Sequence, residues 1–277
     1  HYQWVVLHDF LPRVASQQVV QDILREETYA TGPGDRTATI VRPRLLFYEP
    51  REAPYMPVEF SVAAYRFGHS MIRPSYHIND VVRGERGGQR IPIFSPVAPE
   101  VDERQNLNGF RRLPHGWGIE WKFFFDIPGA DREGQHSHKI DPELGNPLGH
   151  LPREVAKDPS SLALRNLLRA KHLGLPSGQS VSRAMGIAPL SARRLELSGD
   201  LGRHAPLWYY VLKEAEKVAD GKSLGPVGGR IVAEVLIGLL AADPLSYLSV
   251  EPGWRPPLAN ENGEFGMPEL VRFATGE

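Results

Sequence analysis

Apolar residues recur at helical spacing from the start of the chain: Val5, Val6, Leu7, Phe10, Leu11 and Val14, then Val19, Val20, Ile23 and Leu24. Residues on one helix face return every three or four positions, so this spacing predicts a helical opening segment. Pro12 falls inside it and has no N–H for the preceding turn, which predicts a kink or a division there. Thr31-Gly-Pro-Gly-Asp35 is a strong breaker. Between Thr37 and Tyr48 β-branched residues alternate, predicting a short strand. From Pro57 to Ile72 the helical period returns. Val58, Val62, Tyr65 and His69 fall on one stripe by steps of four, three and four, and Pro74 ends the segment.

Residues 80–105 read as loop: Arg83-Gly-Glu-Arg-Gly-Gly-Gln-Arg90 is polar and glycine-rich, and Pro92, Pro96 and Pro99 follow. Asn106–Ile127 is dense in aromatic residues and reads as partly helical, whereas Asp131–His138 is polar and reads as exposed. Asp158-Pro159-Ser160 has the form of a helix start, with Asp158 as cap and Pro159 in the first turn. That helix is expected to run to Leu173 and stop at Gly174. Short helices are expected at 178–185 and 189–197, longer ones at Pro206–Ala219 and Val227–Ala242, and an irregular proline-rich tail from Asp243. The sum is a mainly α chain with long ordered loops and little sheet. Loops of this length in a compact domain are usually functional or wrapped around a cofactor.

Composition narrows the function classes. With 277 residues the chain holds one large domain or two small ones. It has 32 basic and 33 acidic residues, so no basic excess points to nucleic acid. There is no cysteine, which excludes disulfides, thiolate metal sites and cysteine nucleophiles but leaves the compartment open. The longest apolar run, Ile231–Ala242, contains Glu234 and Gly238. It falls short of the roughly 18–20 residues of a membrane helix, so no transmembrane segment is expected. The chain opens on His1, inside an apolar-patterned helix with no capping residue before it. That pattern leads us to expect more chain upstream.

Several residues invite chemical readings. His136 and His138 flank Ser137 in a polar loop, where a metal pair is conceivable and a solvated loop is the plainer reading. His1 could chelate through its amine and ring. Gly225-Pro-Val-Gly-Gly229 precedes a helix, and helix N-termini bind anions. No strand precedes it and no Lys-Ser/Thr follows, so a tight turn letting two helices pack closely is favoured. His69 lies on the apolar stripe beside Gly68 and Ser70. Glycine inside a helix costs about 0.8–1.0 kcal/mol relative to alanine, and the space it leaves suits something flat. By its pattern alone, His69 is either a satisfied core histidine or a haem ligand.

The segment Glu59-Phe-Ser-Val-Ala-Ala-Tyr-Arg-Phe-Gly-His-Ser-Met-Ile72 resembles the proximal-helix motif of the animal-type haem peroxidases. Leu162-Ala-Leu-Arg-Asn-Leu-Leu-Arg-Ala-Lys-His-Leu-Gly-Leu-Pro-Ser177 resembles a second stretch of that superfamily. Weaker echoes are Asp9-Phe-Leu-Pro12 and Gly225–Leu240 followed by Trp254, the latter similar to bacterial members. The resemblance implies a multi-helix haem peroxidase fold, of which residues 1–277 would be a single domain. That domain would be the C-terminal, proximal part of the catalytic domain, with the N-terminal distal part absent.

The resemblance also implies roles. His69 would be the proximal iron ligand, Asn166 the acceptor for its ring N–H, and Arg66 and Arg169 partners of the propionates of haem b. Peroxide would oxidise the ferric haem to a ferryl intermediate, which then oxidises a small electron donor. The distal histidine and arginine, and the family's calcium site, lie N-terminal to anything in this chain, so no catalytic residue is assigned. An N-terminal companion chain from the same precursor is one source for them. Two other readings stand beside this one. A fatty-acid dioxygenase of the same superfamily carries a tyrosine three residues before the histidine, where this chain has Arg66, with Tyr65 one earlier. A non-catalytic scaffold would keep the fold and lose the site. A secreted or periplasmic location is favoured over a cytoplasmic one.

Overall fold

A computed structural model describes residues 1–31, 37–50, 54–83, 90–94, 106–109, 112–131 and 134–276. In chain order the first elements are α1 (Tyr2–Val5), α2 (Leu11–Ala15), α3 (Gln17–Ile23), β1 (Leu24–Ala30), β2 (Thr37–Pro43) and α4 (Gly68–Met71). Next come β3 (Ser75–Tyr76), α5 (Asp80–Arg83), β4 (Ile91–Pro92) and α6 (Leu162–His172). The last are α7 (Gly178–Ala184), α8 (Ala192–Leu195), α9 (Gly199–Arg203), α10 (Leu207–Ala219), α11 (Pro226–Ala242), α12 (Tyr247–Val250) and α13 (Met267–Thr275). Helix takes 47% of the described residues and strand 8%, which is the expected mainly α class with little sheet. None of the described helices is long and apolar enough to cross a membrane.

The chain forms two compact units. The first comprises His1–Gly68, Lys139–Pro142 and Asn166–Gly266. Leu7, Leu11, Ile23, Leu207, Tyr210, Leu212, Val232 and Ile237 are fully buried and make its core. Pro12 sits in the first turn of α2, and Val6–Phe10 before it wind as a π-helix. The proline cannot donate to the carbonyl four residues back, and the wider turn absorbs that loss. The backbone stays right-handed helical through Phe10 and Leu11, so the winding changes ahead of Pro12 without the expected division, and the helix is interrupted at Ser16, with φ +71°.

The two later long helices pack through glycines. A Cβ at Gly228 would lie 2.6 Å from Val211 of α10, and one at Gly229 would lie 2.7 Å from the carbonyl oxygen of Ala15 in α2. The Gly225–Gly229 run is thus the close-packing turn that its sequence suggested. Glu234, in the middle of apolar α11, is 1% exposed. Its carboxylate accepts from the backbone N–H groups of Leu46 (3.1 Å), Phe47 (2.8 Å) and Tyr48 (3.0 Å), and from Arg230 Nε at 2.6 Å. A buried carboxylate is tolerable only when satisfied in this way, and here it pins an extended loop to the helix.

β1 and β2 form an antiparallel hairpin, in register from Leu24↔Pro43 to Ala30↔Thr37. β2 lies within the segment expected to hold a strand. β1 is a correction, because Leu24 was expected to close a helix. Only Leu24 of β1 is buried and the other six residues are exposed, so no alternation marked it. Its partner strand supplies the conformation. The breaker at 31–35 lies, apart from Thr31, outside the described residues.

The second unit comprises His69–His138, Glu143–Arg165 and Met267–Glu277. Leu148, Leu151 and Ala156 pack with Ile72, Phe94 and Leu162. β3 pairs with β4 over two residues. Asn79 is 4% exposed and donates to the carbonyls of Gly116 and Gly118, both at 2.7 Å. Three expectations are corrected here. Among the described residues of Asn106–Ile127 only Trp121–Phe123 is helical, as one 3-10 turn, because Pro114, Gly116 and Gly118 interrupt the run. α6 starts at Leu162 rather than at Asp158. The Asp158–Pro159 peptide is cis, and Ser161 Oγ caps the helix by accepting from Leu164 N at 3.3 Å. α13 occupies a tail expected to be irregular, too short for its period to stand out beside the prolines. The expected stop at Gly174, in the first unit, is present, with φ +63°, the left-handed conformation that glycine adopts without strain.

Candidate functional site

The segment carrying Arg66 and His69 is not a regular helix. Glu59–Ala63 wind as a π-helix and Ala64–Phe67 as a 3-10 helix, before α4 begins at Gly68. A π-helix has more residues per turn than an α-helix and a 3-10 helix fewer, so a 3.6-residue period cannot hold across the junction. The apolar stripe read from the sequence is corrected accordingly. Val62 is buried, but Val58 and Tyr65 are 41% and 44% exposed. Phe60, Ala63, Ala64 and Phe67 are buried instead. Tyr65 stacks on Phe60, with ring centroids 4.6 Å apart.

This irregular winding sets Arg66. Its Nε donates back to the carbonyl of Ser61 at 3.1 Å, and its own carbonyl accepts from Trp208 Nε1 at 3.3 Å. Its Nη1 donates to Asn166 Oδ1 at 2.9 Å, across 100 residues of sequence. Asn166 lies on α6 and is 1% exposed. The two sequence motifs therefore meet through these two side chains. Arg169 lies one turn further along α6, on its exposed side. Burial holds the Arg66 guanidinium below its ordinary pKa, and the nearby charge of Arg169 acts in the same direction. No carboxylate contributes to that balance among the described residues. Two cations thus share one neighbourhood and disfavour each other, an arrangement that two carboxylates would relieve.

His69 follows in α4, half-buried, between Gly68 and the fully buried Ser70. A Cβ placed on Gly68 would meet nothing within 4 Å. The backbone beside the histidine is therefore not closely packed.

The sequence profile of the animal haem peroxidase family matches residues 1–197, more than two thirds of the 277. The chain belongs to the animal haem peroxidase family. No curated protein matches it significantly. The profile covers Arg66, His69, Asn166 and Arg169, while the echo at Gly225–Leu240 and Trp254 lies beyond the matched residues. Haem is the cofactor of the family, and the residues in place suit it. Within the first unit they are a buried neutral acceptor, Asn166, and two neighbouring arginines, Arg66 and Arg169, chemically suited to a dianionic group.

The other candidates resolve differently. His136 and His138 are both exposed, and among the described residues no group of three or more His, Asp or Glu side chains could hold a metal ion. The ring of His1 packs edge-on to Trp254 and Phe265 at 5.0 and 5.3 Å. The N-terminus of α11 is capped by a protein carboxylate. Glu214 Oε2 accepts from Val227 N at 3.0 Å and Gly228 N at 3.2 Å. With no countercharge, burial pushes the Glu214 pKa up to about 7, and the two backbone donors only partly offset it. Sequence reasoning missed Glu214, Ser61 and Trp208. A Trp and a Glu on an amphipathic helix carry no local sign of what they meet across the fold.

Proposed function

We propose that this chain is the proximal, haem-holding part of a haem-dependent peroxidase that uses hydrogen peroxide to oxidise a small donor. The observation that carries this reading is the Arg66–Asn166 hydrogen bond, which joins the two family motifs. Haem b, when bound, supplies the peroxide-dependent redox chemistry. The rest of the reading concerns what this chain's side chains do. His69 would hold the haem iron through a ring nitrogen. Asn166 Oδ1 has two lone pairs, so while it accepts from Arg66 it keeps the capacity to accept from a second donor. Arg66 and Arg169 hold the propionates, and their mutual repulsion in the free protein becomes attraction for a dianion.

The test is haem titration of the purified protein, followed by absorbance and EPR. His69→Ala should lose the histidine-ligated spectrum. Arg66→Gln and Arg169→Gln should keep that spectrum and weaken affinity about 10- to 100-fold each, the scale of a lost charge-assisted hydrogen bond of about 1.5–3 kcal/mol. An unchanged axial-ligand spectrum in His69→Ala would refute the assignment.

A further inference from the structure

A second cluster of chemistry-bearing side chains lies within the first unit, on residues to which the proposed haem site gives no role. His8 Nε2 stands 2.8 Å from the hydroxyl of Tyr247. Among the described residues His8 is the hydrogen-bond partner of that hydroxyl. The His8 ring stacks on Trp4, with centroids 3.8 Å apart. Trp4, Tyr247 and Trp254 form a triangle in which every pair of centroids is 5.8 Å apart. The Arg255 guanidinium lies over the face of Trp4, at 5.4 Å. All four rings are half-buried.

We propose that Tyr247 and His8 form a proton-coupled one-electron redox site, with Trp4 and Trp254 relaying the electron. The Tyr247 O–H bond breaks and its proton moves along the hydrogen bond to His8 Nε2. The electron leaves to a one-electron oxidant of high potential. Tyr247 is left as a neutral phenoxyl radical and His8 as an imidazolium. An electron-rich aromatic donor, such as a phenol, returns the electron and releases its own proton to solvent, while the His8 imidazolium gives its proton back to the Tyr247 oxygen.

The resting protonation states suit this step. Burial, and secondarily the charge of Arg255, lower the His8 pKa to about 4, so its ring is a free base at neutral pH. Burial raises the Tyr247 phenol above its ordinary range, so the proton starts on oxygen and must leave together with the electron. A phenol radical cation is a far stronger acid than even this weakened imidazolium, so the transfer runs downhill. The Arg255 cation makes Trp4 harder to oxidise, which leaves Tyr247 as the resting place of the hole. The site is distinct from Tyr65, which stacks on Phe60 and is exposed.

The experiment oxidises the protein from outside, by flash photolysis with ruthenium tris-bipyridyl and persulfate, with EPR of freeze-trapped samples. Because the oxidant is external, the outcome does not depend on haem or on the role of His69. We expect a tyrosyl signal in the wild type that forms more slowly in D2O. It should fall at least fivefold in Tyr247→Phe and in His8→Gln, each checked for an unchanged far-UV circular dichroism spectrum. It should persist in Tyr2→Phe, which removes a tyrosine that is 66% exposed. An undiminished signal in Tyr247→Phe, or in folded His8→Gln, would overturn the proposal, as would the absence of a solvent isotope effect.

Discussion

Replacing Glu214 with glutamine should remove a pH dependence from the stability of the fold. Glu214 is 2% exposed, and its carboxylate faces two backbone N–H groups and no cation. Its pKa rises from 4.5 to about 7 in the folded chain. A carboxyl group that binds its proton more tightly when folded stabilises the fold below its unfolded pKa, and that contribution is lost as pH rises through the folded value. At ~1.4 kcal/mol per pKa unit, the loss from pH 5 to pH 8 is about 2 to 3 kcal/mol. Glutamine keeps an oxygen to accept from Val227 and Gly228 but cannot ionise. Its new amide hydrogens shift stability by a pH-independent amount, so the slope rather than the level is the readout. His8 works in the opposite sense. Its pKa falls from 6.5 to about 4 on folding, so its contribution is present above the unfolded value and lost as pH falls toward the folded one. That term is common to both proteins and cancels in the comparison. The assay is urea unfolding of wild type and Glu214→Gln across this pH range. The wild type should lose about 2 to 3 kcal/mol more than the variant on going to the alkaline end. Parallel pH curves would refute the reasoning.

Other outcomes follow from single contacts. Glu234→Ala leaves the N–H groups of Leu46, Phe47 and Tyr48 and the Arg230 guanidinium without their carboxylate, and should cost about 3–5 kcal/mol in denaturant unfolding. Gly229→Ala sets a methyl 2.7 Å from the Ala15 carbonyl oxygen and should cost about 1–3 kcal/mol, read as a lowered melting temperature. Asn166→Leu removes the acceptor of Arg66; on the proposed reading, a haem-loaded variant keeps its iron ligand and changes its reduction potential, measured by redox titration.

The site and the fold were legible in the sequence to different depths. Arg66, His69, Asn166 and Arg169 were found as chemical types in a recognisable order, and residues 1–197 match the family that this order suggested. Their surroundings were not legible. The stripe through Val58 and Tyr65 failed because the chain changes from π to 3-10 winding one turn before His69, and a helical period assumes one winding throughout. β1 was invisible because a two-stranded hairpin with an exposed face carries no alternation.

What the sequence by itself determined is local. Gly174 ends α6 because glycine takes its backbone angles without strain, Pro12 sits in a first helical turn where its missing donor is not needed, and the run of apolar residues makes α11. What the tertiary structure decided is which polar groups those elements bring together. Only packing sets Glu214 under the N-terminus of α11, Glu234 against the loop at Leu46–Tyr48, His8 against Tyr247, and Arg66 on Asn166. The physical reason is range. Backbone preference and periodicity act over a few residues and are written in the order of the chain. The energy of a buried charge or hydrogen bond depends on what lies within a few ångströms of it, and those neighbours come from as many as 244 residues away.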